Sequence, residues 1–216
     1  CKGKRLLPKH FLDDSRIKEI KGYYVPYWLF DCEVSAAINF DATRVRFWMS
    51  GEYNYTETSY YLVHRAGAMR FARIPVDGSS KIDNAITEAI EPFDYQDLVD
   101  FEPAYLAGYE ADKYDVSAEE AMPRVNERVC SSTEDALRDT VIGYNTVIAR
   151  NRNVQNHKGE VRYALLPVWL LEASYAGKKY PFAINGQTGR MIGTLPVDKR
   201  RLWGYLIGMT GIGTAV

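Results

Sequence analysis

The chain of 216 residues is long enough to bury a substantial core, as one large domain or two small ones, and its 46% hydrophobic and 25% charged residues are ordinary globular values. A net charge of −1 gives no global electrostatic reason to bind nucleic acid, and an odd set of three cysteines without Cys-x-x-Cys spacing points to neither a disulfide framework nor a zinc site within the chain. The aromatic share of 13%, with 16 Tyr and 4 Trp, favours the half-buried pleated surface of a sheet.

Residues 1–22 read as the tail of an upstream region, and a start at Cys1 instead of Met suggests that more chain precedes it. Ser15–Ile20 is expected to form one helical turn stopped by Gly22. A first β-rich half is expected over 23–78. Tyr23–Cys32 is almost continuously apolar, as in a strand covered on both faces, and Pro26 calls for a strand start, an edge or a bulge. From Arg44 to Ile74 the alternation reads as a β-meander, with Ala66-Gly67-Ala68 as a short connection.

The segment 79–143 is expected to be a mainly helical, acidic insertion. Between Ile82 and Asp112 there is no Lys or Arg. Ile82, Ala85, Ile86, Ala89 and Ile90 recur at helical spacing after Ser80, an available N-cap, and Pro92 ends the run. Pro103–Glu110 alternates like a strand. Ser117-x-x-Glu120 has capping-box spacing ahead of Val125, Val129, Ala136 and Val141, which predicts a second helix to about Ile142, kinked or started at Pro123.

A second β-rich half is expected over 144–197, with Asn156-His157-Lys158-Gly159, Gly177-Lys178 and Asn185-Gly186-Gln187-Thr188-Gly189 as its turns. Pro26-Tyr27-Trp28-Leu29 returns as Pro167-Val168-Trp169-Leu170, and Ala37-Ile38-Asn39 with Arg44 returns as Ala183-Ile184-Asn185 with Arg190. The halves therefore read as an internal duplication, each Trp a core anchor and each Pro a strand start. The predicted fold class is α+β: two related antiparallel β-rich halves with a helical insertion between them.

Residues 198–216 read as a basic flank, Lys199-Arg200-Arg201, followed by fifteen uncharged residues from Leu202 to Val216. That run is shorter than a span of about 20 residues and reads as the start of a transmembrane helix, with Gly204 and Gly208 at small-xxx-small spacing; the alternative is a C-terminal tail docked on the core. Positive residues stay on the cytoplasmic side, so the domain is expected at the cytoplasmic face of the cell membrane, in keeping with its free cysteines.

Chemistry is harder to find. His10, His64 and His157 are scattered, no nucleophile stands in a Gly-x-Ser-x-Gly setting, and no phosphate-binding glycine loop is present. The acidic block lacks the order of a calcium loop and reads as a solvated face. No catalytic, metal or cofactor residue is assigned. The candidate binding surface is aromatic: Trp48, Tyr53, Tyr55, Tyr60 and Tyr61 crowd one hairpin, able to grip a partner if they point outward, or simply to fill sheet faces if they do not.

Lys21-Gly22-Tyr23-Tyr24-Val25-Pro26-Tyr27-Trp28-Leu29-Phe30-Asp31, Thr56–Tyr61, Pro75-Val76-Asp77, Ile90–Tyr95, Pro123–Arg128, Tyr163–Trp169 and Ala183–Gly189 together resemble bacterial zinc-ribbon membrane proteins labelled transcription-factor-IIB-type zinc-ribbon or primosomal-helicase-like. The resemblance spans nearly the whole chain. It implies a zinc ribbon upstream of Cys1, a membrane helix near Leu202, and zinc held by no residue of this chain. The expected function is a membrane-tethered cytoplasmic interaction or scaffolding module with an unknown protein partner. The alternatives are a replication or transcription factor that touches nucleic acid through the upstream ribbon, and an enzyme with an unrecognised site.

Overall fold

The computed structural model describes residues 16–193. Strands dominate it: β1 (Arg16–Ser50), β2 (Tyr53–Asp77), β3 (Glu110–Ala111), β4 (Thr146–Tyr175), β5 (Lys178–Asn185) and β6 (Met191–Gly193). Among the described residues, helix is confined to α1 (Asn84–Ala89), α2 (Ala118–Asp139) and two 3-10 turns at Tyr95–Asp97 and Pro103–Leu106. The expected α+β class is thereby corrected. The chain is mostly β, and the segment taken for a helical insertion contributes one long helix, one short one and irregular chain.

The main reason is strand length. β1 runs for 35 residues, β2 for 25 and β4 for 30, through stretches that looked like punctuation. Residues 16–20 open β1 instead of forming a helical turn. A single turn is a costly nucleus, whereas pairing supplies backbone partners at every step. Ala66-Gly67-Ala68, expected to turn, lie mid-strand opposite Ala37, Ala36 and Ser35. A Cβ on Gly67 would sit 3.7 Å from Leu137 of α2, so the small residues are where the helix rests on the sheet. The meander is therefore one long hairpin, turned at Gly51, whose φ of 61° suits glycine. Asn156–Gly159 likewise continue β4. A Cβ on Gly159 would meet the Asp31 carbonyl oxygen at 2.7 Å, so this glycine marks a close approach of β4 to β1.

Contacts divide the chain into two compact units, both drawing on β1 and β4. The unit built from 26–78 and 114–164 contains the hairpin β1–β2, paired antiparallel with a bulge between Phe30 and Cys32. At the bulge Arg73 takes a φ of 57° and donates its backbone N–H to the Asp31 carboxylate at 2.8 Å. β4 flanks β1 on the other side, with Thr146 beside Thr43 and Gly159 beside Asp31, which makes that pairing antiparallel too.

α2 covers one face of this sheet. Its buried stripe is Ala121, Val125, Val129, Thr133 and Leu137, and the expected stripe is corrected at Ala136, which faces solvent. Phe30, Cys32, Val34 and Val76 pack with its N-terminal half, while Ala36, Ile38 and Phe40 pack with Leu137 and Val141. Burial raises the Cys32 thiol pKa, consistent with a small core residue. Pro123 lies inside the helix, which starts at Ala118 behind a complete capping box formed by Ser117 and Glu120.

The Ser117 backbone N–H donates to Glu120 at 2.8 Å and holds that carboxyl below its usual value. A depressed folded pKa gives stability that is present above the ordinary value of 4.5 and lost as pH falls through the lower folded value. Thermal melts across pH should therefore separate wild type from Glu120→Ala at neutral pH, with the gap narrowing as pH falls below 4.5. A gap that persists unchanged at pH 3 would sink this assignment.

The other unit takes residues up to Val25, 79–113 and 165 onward. Within it β4 pairs with β5 and β5 with β6, both antiparallel, and β3 adds two parallel pairs to β1 at Tyr23 and Tyr24. Ala173 and Phe182 pack with Leu171, Tyr175 and Tyr180. α1 is capped by Asp83, whose carboxylate accepts the Ala85 N–H at 2.9 Å, and not by Ser80. Pro103–Glu110, expected as a strand, is a 3-10 turn leading to β3.

The expected pair of related halves is corrected together with the fold class, and what the two Pro-x-Trp-Leu segments share is local geometry. Trp28 lies opposite Val76, and the Gly78 N–H donates to the Pro26 carbonyl at 2.8 Å. Trp169 lies opposite Ile184, and the Gly186 N–H donates to the Pro167 carbonyl at 2.8 Å. The partner of Ile184-Asn185-Gly186 is thus Val76-Asp77-Gly78, and not Ile38-Asn39 in β1. Neither proline starts a strand. Each lacks an N–H but presents the carbonyl that receives the end of the returning strand. Both tryptophans are half-buried. Trp28 donates to the Val116 carbonyl at 2.9 Å and is ringed by Tyr114 and Tyr163, while Trp169 packs on Tyr109.

The transmembrane helix is expected over residues 198–216, which lie outside the described residues. Among the described residues no helix is long and apolar enough to cross a membrane, and the longest, α2, is amphipathic with Glu119, Glu120 and Arg124 in its first two turns.

Candidate functional site

The distal part of the β1–β2 hairpin projects past its neighbours. β4 begins at Thr146, whose hydroxyl meets that of Thr43, and the loop before it is tied down there by Asn145: its N–H donates to the Thr43 carbonyl at 2.7 Å and its side-chain oxygen accepts from the Val45 N–H at 2.7 Å. Beyond Val45, β1 has β2 alone as partner among the described residues. A two-stranded ribbon is at best marginally stable in water, so its side chains must help to hold it.

Register assigns those side chains to faces, because directly opposed residues share a side. On the face that α2 covers farther down lie Ser50 with Tyr53, Trp48 with Tyr55, Arg46 with Glu57, Arg44 with Ser59, and Ala42 with Tyr61. Trp48 and Tyr55 stack with ring centroids 5.5 Å apart and planes 9° from parallel. Tyr61 meets Tyr144 at 5.1 Å, and the Arg44 guanidinium lies 5.7 Å and 5.4 Å from those two rings while donating to the Gly143 carbonyl. These contacts clamp the ribbon's base.

Four of the five expected surface residues, Trp48, Tyr53, Tyr55 and Tyr61, therefore share one face. Tyr60 does not. It lies opposite Thr43 on the reverse face, with Phe47, Met49 and Leu62. That second face was missed, although period-two counting from a turn at Gly51-Glu52 would have found it. Exposure decides between the two readings of the aromatics. Tyr53 is 72% exposed, Tyr60 80%, Phe47 74% and Met49 71%, so these groups fill no sheet interior. Uncovered apolar area of this kind lies on both faces of one ribbon, the feature on which an interaction surface can be argued.

Elsewhere the chemistry is sparse. His64 is exposed, its ring Nδ1 2.7 Å from Asn39 Oδ1, and His157 is exposed on β4. Among the described residues no group of three or more His, Cys, Asp and Glu could hold a metal ion. A cleft of about 280 Å³ lies beside α1, lined by Ile82, Ile86, Leu171 and Phe182 with Lys21, Lys81 and Glu172 at its polar side, and it contains no His, Cys or Ser. Lys21 pairs with Glu110 at 2.9 Å and Lys81 with Asp112 at 2.7 Å, so both cations are already neutralised. Hydrogen bonding from Lys21 lowers the Glu110 pKa.

Among known proteins, the chain is 35% identical over 211 residues to "Uncharacterized protein YdjG" of Bacillus subtilis (strain 168), an alignment that covers 98% of this chain and 62% of that protein. This chain thus spans less than two thirds of the relative's length. No family model matches the chain, and no solved structure matches it.

Proposed function

We propose that this chain is a protein-binding module whose contact element is the distal β1–β2 hairpin. The observation that carries this reading is the two-faced exposure of Phe47, Trp48, Met49, Tyr53, Tyr55 and Tyr60 on a ribbon that has no second sheet neighbour among the described residues. Charge favours protein over nucleic acid as the occupant. Arg44 and Arg46 are balanced by Glu52 and Glu57, Arg46 lies opposite Glu57, and Arg44 is engaged at the ribbon's base. No cationic surplus is left to meet phosphates.

A photo-crosslinking amino acid placed at Tyr53 should give a defined protein adduct in cells, whereas the same group at exposed Glu119 of α2 should not. Trp48→Ala with Tyr55→Ala should abolish that adduct while changing stability by about 1 kcal/mol, the worth of one aromatic pair. Equal adducts from both positions, or an adduct unaffected by the double substitution, would count against the reading.

A further inference from the structure

β2 is an edge strand: among the described residues nothing pairs with its outer side. Natural sheets blunt such edges with Pro, Lys, bulges or short strands. From Tyr53 to Phe71 this edge has no Pro and no Lys, and its pairing with β1 is unbroken over that length. Over that length its charged side chains are Glu57, Arg65 and Arg70, and Glu57 lies opposite Arg46 of β1.

We infer that the open edge of β2 takes the same edge of a second copy of this chain, antiparallel and centred on Tyr61. This deepens the reading of the hairpin as the contact element and rests on it. The choice of occupant comes from the strand's own sequence. Two copies related by a two-fold axis normal to the sheet pair residues of the same face, so the two positions of every pair lie equally far on either side of the centre. Centring on Tyr61 puts Glu57 of each copy opposite Arg65 of the other. Both residues lie on the α2 side of the sheet, where Arg65 also donates to Thr140. Centring on Glu57 or Arg65 instead opposes like charges, which costs stability. On the reverse face the same register sets Tyr60 against Leu62 twice, and it would cover side chains that are 80% and 62% exposed. Thr58 then faces His64, and Ser59 faces Val63.

Sedimentation velocity of the 216-residue chain over a concentration series tests this. The wild type should show a monomer–dimer equilibrium. Glu57→Arg and Arg65→Glu should each weaken self-association about tenfold, because each creates two like-charge oppositions. An equimolar mixture of the two variants should recover it as a heterodimer. There the introduced arginine of one variant meets the introduced glutamate of the other, and the retained Arg65 of the first meets the retained Glu57 of the second. A merely misfolded variant could not be rescued by mixing. A wild type that stays monomeric at every concentration, or a mixture that associates no better than its components, overturns the inference. The crosslinking experiment at Tyr53 reports separately on the hairpin as contact element, so a monomeric chain that still forms a heterologous adduct sinks only the choice of partner.

Discussion

Phe30→Ala should lower the unfolding free energy by about 3–5 kcal/mol, the usual cost of deleting a fully buried Phe side chain. The ring is 0% exposed and packs in the cluster of Val34, Val76, Ala121, Val125 and Val129, where sheet and α2 meet. It also sits next to the bulge at which β1 and β2 shift register, so the surroundings are fixed by backbone on both strands and have little freedom to collapse into the void. Native domains hold roughly 5–15 kcal/mol in total, so this one change should remove about a fifth of the margin or more. Urea unfolding followed by circular dichroism gives the measurement. A loss below about 1 kcal/mol would mean that α2 does not seat on the sheet as described.

The second large effect is expected at Asn185. Its side-chain amide donates to the carbonyls of Ile90 and Pro92, both at 3.0 Å, and its carbonyl oxygen accepts the N–H groups of Gln187 and Thr188 at 2.9 Å and 3.0 Å. The residue is 1% exposed, so neither water nor another partner replaces what is lost. Asn185→Ala should cost about 3 kcal/mol through buried carbonyls left unmet. Asn185→Asp is the sharper test. It keeps the shape and the two accepted bonds, but a carboxylate cannot donate and would face two carbonyl oxygens, so it should be at least as damaging as alanine. An Asp variant as stable as wild type would show that the amide does not tie the end of α1 to the β5–β6 turn. Asp77, at the equivalent place in the other hairpin, is likewise 1% exposed but holds its helix differently, through an ion pair with Arg124 of α2 at 2.8 Å. The repeat therefore preserves a buried polar residue at the strand's return while the chemistry that it uses has changed.

The aromatic hairpin was legible because everything that defines it is local: alternation along the strand, a glycine turn, and the concentration of Trp48, Tyr53, Tyr55, Tyr60 and Tyr61. Its division into two faces was not, since one residue of error at the turn moves every side chain to the other side. The cap of α2 was legible for the same reason, as Ser117 and Glu120 bond each other's backbone within four residues. The second echo of the duplication was misplaced because three-residue matches recur by chance. Only the pairing of Gly78 with Pro26 and of Gly186 with Pro167 shows which residues are equivalent.

The amino-acid order by itself determined the strand-forming character of the chain, the cap of its long helix and the Pro-x-Trp-Leu repeat, all set by neighbours along the backbone. Tertiary structure alone decided how long the strands are. Gly67 and Gly159 carry the composition of turns, yet one lies under Leu137 of α2 and the other against the Asp31 carbonyl. Small residues serve a turn and a close contact equally well, and only the third dimension distinguishes them. The same holds for the hairpin, whose aromatic rings would have been core had another element covered them. Their exposure follows from where β4 begins and α2 ends.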